Sequence, residues 1–191
     1  MTAIAAIVTN EGHIIMGGDS AGTSYDFSQT IRKDPKVFHN KKFLIGFTSS
    51  YRMGQILRYS FKPPRHLKKV DTDTYMRTVF IDAVRSALKD GGYTHIQNNT
   101  EAGGLFLVGY RSRIFAIEPD FQVGEPINNY FAVGCGSDLC LGSFASTKFP
   151  KDYIPTHEDY SNRVLLALRA AEEHSAGVQG PMILEELKAK K

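Results

Sequence analysis

Thr2 carries a hydroxyl beside a nitrogen that becomes a free amine once Met1 is removed. A nucleophile and a base then share one residue and need no second side chain to bring them together. An α-amine titrates near ~7.7–8.0, so far more of it is neutral at cytosolic pH than of a lysine amine. Taken alone, Met-Thr is an ordinary start. The residues that follow change the reading. Residues 2–8 form an apolar, β-branched run, Asn10-Glu11-Gly12 marks a turn, and His13-Ile14-Ile15-Met16 returns into Gly17-Gly18-Asp19-Ser20. This hairpin starts at the nucleophile and brings a carboxylate, Asp19, back to its neighbourhood.

The elements that must position these groups follow from hydrophobic spacing. Lys36-Val37-Phe38 leads to a tight turn at His39-Asn40-Lys41-Lys42 and returns as 43–50. A helix is predicted over 50–60, with Met53, Ile56 and Leu57 on one face, until Lys62-Pro63-Pro64-Arg65 breaks it. Asp71 or Asp73 caps a second helix through Lys89, where Met76, Val79, Phe80, Ala83, Val84 and Leu88 recur at helical spacing. Asp90-Gly91-Gly92 ends it. Strands follow at 104–110 and 113–117, joined at Arg111-Ser112, and a further strand at 130–134 runs into Gly134-Cys135-Gly136-Ser137. A last long helix over 157–175 presents Val164, Leu165, Leu168 and Ala171.

In this order, Thr2, Gly17-Gly18-Asp19-Ser20-Ala21-Gly22-Thr23, Lys36-Val37, Gly46-Phe47-Thr48-Ser49-Ser50 and Gly134-Cys135-Gly136-Ser137 resemble the motifs of the proteasome β-subunit family. The tail from Ala171 to Leu187, ending Ile183-Leu184-Glu185-Glu186-Leu187, is similar to the C-terminus of its bacterial HslV peptidase branch. The resemblance spans nearly the whole chain. It implies an α+β fold, a four-layer αββα sandwich, in one domain over 1–191.

The resemblance also implies roles. Thr2 is the nucleophile of a threonine-type endopeptidase and its α-amine the base. Lys36 matches the family lysine, whose ammonium stabilises negative charge on the hydroxyl oxygen, and Asp19 matches the acid that holds it. Separately, Asp19 reads as a turn aspartate and Lys36 as a solvated hairpin lysine. The backbone N–H of Ser49 falls where the family stabilises the oxyanion, although relatives place glycine there and a side chain could crowd the substrate. Thr23 and Ser49 fall where an extended substrate pairs as an added strand. Phe47 would line the pocket for the residue before the cut and favour apolar side chains.

Two departures touch the groups around the terminal amine. The family serine falls on Cys135, which reads as an inert small core cysteine, with Ser137 two residues on to replace the serine. The family aspartate of the C-terminal segment falls on Glu173, with Ser175 nearby; Glu173 reads equally as a solvated helix charge. His174 reads as exposed.

Composition bounds the rest. The 191 residues can bury a substantial single core. A net charge of +3 is too small to argue for nucleic acid. Cys135 and Cys140 lack a metal-type partner set, so free thiols in a reducing compartment are expected, with no cofactor and no metal. The start is unlike a signal peptide, and no apolar run approaches the ~20 residues that span a bilayer. A cytoplasmic protein without membrane contact is the expectation. As family-implied partners the chain has copies of itself in stacked rings and unfolded polypeptide substrates. The basic loop 62–69 reads as a solvated loop or as a contact with the axial entrance or a hexameric AAA+ ATPase unfoldase. Two other readings stay open: an N-terminal-nucleophile amidohydrolase acting on small amides, and a catalytically silent shell subunit.

Overall fold

The computed structural model describes residues 1–24, 26, 28–97 and 100–189. Two antiparallel sheets lie face to face. The first contains β1 (Ala3–Val8), β2 (Ile14–Gly18), β12 (Tyr130–Gly134) and β13 (Ile183–Leu187), in the order β12-β1-β2-β13. The second contains β5 (Val37–Asn40), β6 (Phe43–Phe47), β9 (Phe106–Tyr110), β10 (Arg113–Ile117) and β11 (Val123–Gly124), in the order β11-β10-β9-β6-β5. Two small hairpins, β3 (Ala21–Thr23) with β4 (Gln29–Ile31) and β7 (His95–Gln97) with β8 (Thr100–Ala102), stand outside the main sheets.

Helices cover both outer faces. One layer is α1 (Tyr51–Gln55), continued by a π-helical turn at Ile56–Ser60, then α2 (Thr72–Tyr75), a second π turn at Met76–Phe80, and α3 (Ile81–Asp90). Asp71 caps α2 by accepting the Thr74 N–H. The opposite layer is α4 (Ser137–Ser146) and α5 (His157–His174), the latter opened by a capping box between Thr156 and Asp159. This is the αββα sandwich. Among the described residues no helix is long and apolar enough to cross a membrane.

β1 shows why the layers form. Its side chains alternate: Ala3, Ala5 and Ile7 pack under α4 and α5, whereas Ile4 and Ala6 enter the space between the sheets with Met16, Val37, Leu44 and Leu107. A strand buried on both faces needs an unbroken apolar run, which the chain start provides. The third core, beneath α1–α3, is aromatic, with Phe43, Phe80, Phe106 and Phe115 buried together. Burying each such side chain contributes about 1.5–3 kcal/mol.

Several elements differ from the sequence reading. α4 and β13 were not expected. The tail 183–187 pairs with β2 as an edge strand, Ile183 opposite Gly18, so it closes the first sheet.

Candidate active site

Thr2 sits one residue before β1 and is only 5% exposed. The alternation of β1 turns Thr2 to the same side as Ile4, toward the space between the sheets. Lys36, immediately before β5, arrives there from the second sheet. Its Nζ donates to Thr2 Oγ1 at 2.8 Å and to both Asp19 oxygens at 2.8 and 2.9 Å. The lysine side chain is 1% exposed and the aspartate 0%. Asp19 also accepts the Ala3 N–H on Oδ1 and the Ala21 N–H on Oδ2, each at 3.0 Å. One carboxylate therefore fixes the start of β1, the turn after β2 and the lysine.

Burial lowers the Lys36 pKa, and the charge and hydrogen bonds of Asp19 oppose that shift. Gly18 makes the close approach possible, because a Cβ there would lie 2.6 Å from the Ile4 side chain.

On the nitrogen side, the Thr2 N–H donates to Cys135 Sγ at 3.2 Å, and the thiol also lies 3.4 Å from the Thr2 carbonyl oxygen. Ser175 Oγ is 3.5 Å from the same sulfur. Cys135 is exposed, not in the core, because the chain turns outward after β12. Cys140 is the buried thiol, and burial pushes its pKa up to about 12. The turn depends on Gly134, which has φ +100° and no room for a Cβ beside the Thr2 carbonyl. Gly136 donates to that carbonyl at 3.4 Å.

With Met1 in place, the Thr2 hydroxyl donates to the Met1 carbonyl, so the leading residue occupies that hydroxyl's proton. Met1 is 49% exposed.

A cavity of about 570 Å³ opens over Thr2 and Lys36, with Thr23, Phe47, Ser49 and Tyr51 on its walls. The Phe47 ring is buried against Gly54 and edge-on to Tyr51, at 5.5 Å between centroids. Thr23 Oγ1 is buried with no hydrogen-bond partner among the described residues. Ser49 has φ +57°, a left-handed conformation that costs a non-glycine residue on the order of 1 kcal/mol. Its hydroxyl accepts the Leu105 N–H at 3.1 Å, which ties the side chain to the neighbouring backbone. Among the described residues its own N–H has no protein acceptor.

The remaining candidates lie apart. Ser137 begins α4, and its side chain makes no hydrogen bond among the described residues. Glu173 and His174 are exposed at the end of α5. The neighbouring Glu172 instead accepts the Gly180 N–H at 2.7 Å and holds the tail that passes Asp19.

Tyr51 and Arg32 went unnoticed in the sequence. The Arg32 guanidinium lies 3.9 Å from the Tyr51 ring centroid and is held by Asp34 at 2.8 and 2.6 Å. The signal available was Tyr51 at the first turn of the helix leaving the Thr48-Ser49-Ser50 turn. Among the described residues no group of three or more His, Cys, Asp or Glu could hold a metal ion.

No protein-family model and no curated protein matches the sequence. Solved structures do match in shape. The BPH protein of Thiobacillus denitrificans, in complex with epoxomicin, is 18% identical with TM-score 0.77, and the match covers 100% of both chains. Eukaryotic HslV from Trypanosoma brucei is 14% identical with TM-score 0.65, covering 97% of this chain and 98% of that one. Anbu (Gly-1) mutant from Hyphomicrobium sp. strain MC1 is 16% identical with TM-score 0.66, covering 96% and 80%.

Proposed function

This chain has the proteasome-like Ntn-hydrolase fold, and from that premise we propose that it is a threonine-type endopeptidase subunit of a self-compartmentalising protease. The observation carrying this reading is the Lys36 ammonium, buried against Asp19 and 2.8 Å from the Thr2 hydroxyl. Removal of Met1 frees the α-amine. That amine takes the hydroxyl proton, directly or through one water, as the oxygen attacks a peptide carbonyl. It returns the proton to the leaving amine, the C–N bond breaks, and an ester to Thr2 remains. Water activated by the same amine then hydrolyses the ester and regenerates the hydroxyl.

Lys36 lowers the cost of negative charge on Oγ1. The Ser49 N–H, without a protein acceptor among the described residues, serves the oxyanion. Thr23 and Ser49 pair the substrate backbone as an added strand, and Phe47 makes the adjoining pocket apolar. Stacked rings of this chain enclose the Thr2 sites. Unfolded polypeptide, delivered by a hexameric AAA+ ATPase that meets the basic loop 62–69, is the substrate of this cytoplasmic assembly.

The test is turnover of unfolded casein by wild type and Thr2→Ala. Loss of turnover with assembly retained is expected; normal turnover by the variant overturns the reading. A catalytically silent shell subunit is the second reading, favoured by the outward position of Glu173. Wild type that assembles but cleaves neither casein nor small acyl amides would establish it.

A further inference from the structure

We propose that the end of the sandwich opposite Thr2 carries a binding site for an oligophosphate group. β5 joins Lys36, just before it at the catalytic end, to Lys41, just after it at the other, about 16 Å away at the rise of an extended strand. There a second cavity, of about 550 Å³, opens between the β5–β6 turn, the β9–β10 turn and the end of β13. Its size suits a small ligand.

Its lining is one-signed. Lys41, Lys42, Arg111 and Lys188 all face it, and no aspartate or glutamate does. Among the described residues none of these four cations belongs to an ion pair; the nearby carboxylates are engaged elsewhere, Glu185 with His39 and Glu186 with His13 and His157. Four like charges converging on one concavity repel one another, and a multivalent anion removes that repulsion. Arg111 adds a planar fork suited to phosphate oxygens, and three lysines supply compact charge that adapts to different oligophosphates.

The back wall is rigid and polar. His66 is stacked on Tyr75, with 4.2 Å between ring centroids, and its Nε2 donates to the Val70 carbonyl at 2.8 Å. Its Nδ1 lies 2.9 Å from the hydroxyl of Tyr110, a residue only 4% exposed. The cations thus ring a preformed floor. The site is independent of the chemistry at Thr2. Either a free oligophosphate or the phosphate chain of a nucleotide supplies the ligand.

Isothermal titration of the intact protein with inorganic tripolyphosphate and, separately, with ATP tests the site. One tripolyphosphate per subunit is expected, weakened at least tenfold by Lys42→Gln/Arg111→Gln and, independently, by Lys188→Gln. The control Lys151→Gln/Arg169→Gln, two exposed side chains outside that lining, should bind as wild type does. ATP binding as tightly as tripolyphosphate, and sharing its sensitivity, assigns the site to nucleotides; weaker ATP binding assigns it to the free anion. No binding at millimolar tripolyphosphate, or equal weakening by the control, overturns the proposal. So does a poly-glutamate peptide that binds there and is not displaced by tripolyphosphate.

Discussion

The two sides of Thr2 are built differently. Its oxygen meets Lys36 and, through it, Asp19, a pair buried between the sheets and supplied with backbone donors. Its nitrogen meets an exposed thiol at 3.2 Å, with Ser175 behind it at 3.5 Å and Glu173 turned outward. The oxygen side is part of the core, so changing it should cost folding as well as chemistry. The nitrogen side is a surface turn, and changes to its side chains should alter rate with little effect on stability.

The largest effect is expected from Lys36→Met, which leaves the Asp19 carboxylate buried without its cation. Breaking one half of such a pair costs about 3–5 kcal/mol, and loss of the ammonium should lower turnover by roughly 10²–10³, the range for a preorganised electrostatic group. Urea unfolding alongside peptide turnover measures both; an unchanged midpoint would break the contrast between the two sides.

Next is Gly134→Ala, which drives a Cβ into the Thr2 carbonyl at φ +100°. A loss of about 1–3 kcal/mol with impaired turnover is expected. Gly92→Ala, at φ +69° but in open space, should show backbone strain without loss of turnover. Equal effects on turnover would remove Gly134 from the site.

The pH profile sharpens the comparison further. The folded-state pKa of Lys36 lies below its ordinary value of 10.5. Between the two values the unfolded chain holds a proton that the folded chain has lost, so the Lys36 contribution to stability becomes more favourable as pH rises through that window. Turnover should move the opposite way and fall on the alkaline side below pH 10.5 as the ammonium is lost. An alkaline limb set only above that value would contradict the assignment.

The smallest effects belong to the nitrogen side. Cys135→Ala should slow turnover by up to about tenfold, the equivalent of one hydrogen bond. Cys135→Ser should restore it, and neither should move the melting temperature by more than a few degrees. Glu173→Gln should change turnover less than twofold.

The same contrast governs what the sequence disclosed. Apolar runs at 3–8, 43–47 and 106–110, short and bounded by turn signals, read as buried strands, and the Arg111-Ser112 turn follows the last of them. α4 stayed hidden because Ser137, Gly142, Ser143 and Ser146 are weak helix formers, and it is held by packing on α5. β13 stayed hidden because Glu185 and Glu186 interrupt its apolar pattern, while its half-buried edge tolerates them. Periodicity made the elements legible, whereas the layer order came from the resemblance to the proteasome β-subunit family.

Around the site, legibility followed burial. Asp19 and Lys36 are tied to glycine-rich and β-hairpin signals that fix their positions. Cys135 was misjudged because cysteines are usually buried, whereas a turn after β12 puts this one in solvent. Glu173 shows how little a helix forgives. One residue is a rotation of about 100°, and it separates Glu172, which holds Gly180, from Glu173, which faces water.

The central claim is that a freed Thr2 attacks. Native protein treated with a peptide epoxyketone, then measured by intact mass and peptide mapping, tests it most directly. The account predicts a chain lacking Met1, one adduct on Thr2, loss of turnover in proportion to labelling, and no adduct on Thr2→Ala. Active protein that keeps Met1, or inhibition with the adduct on another residue, would contradict it.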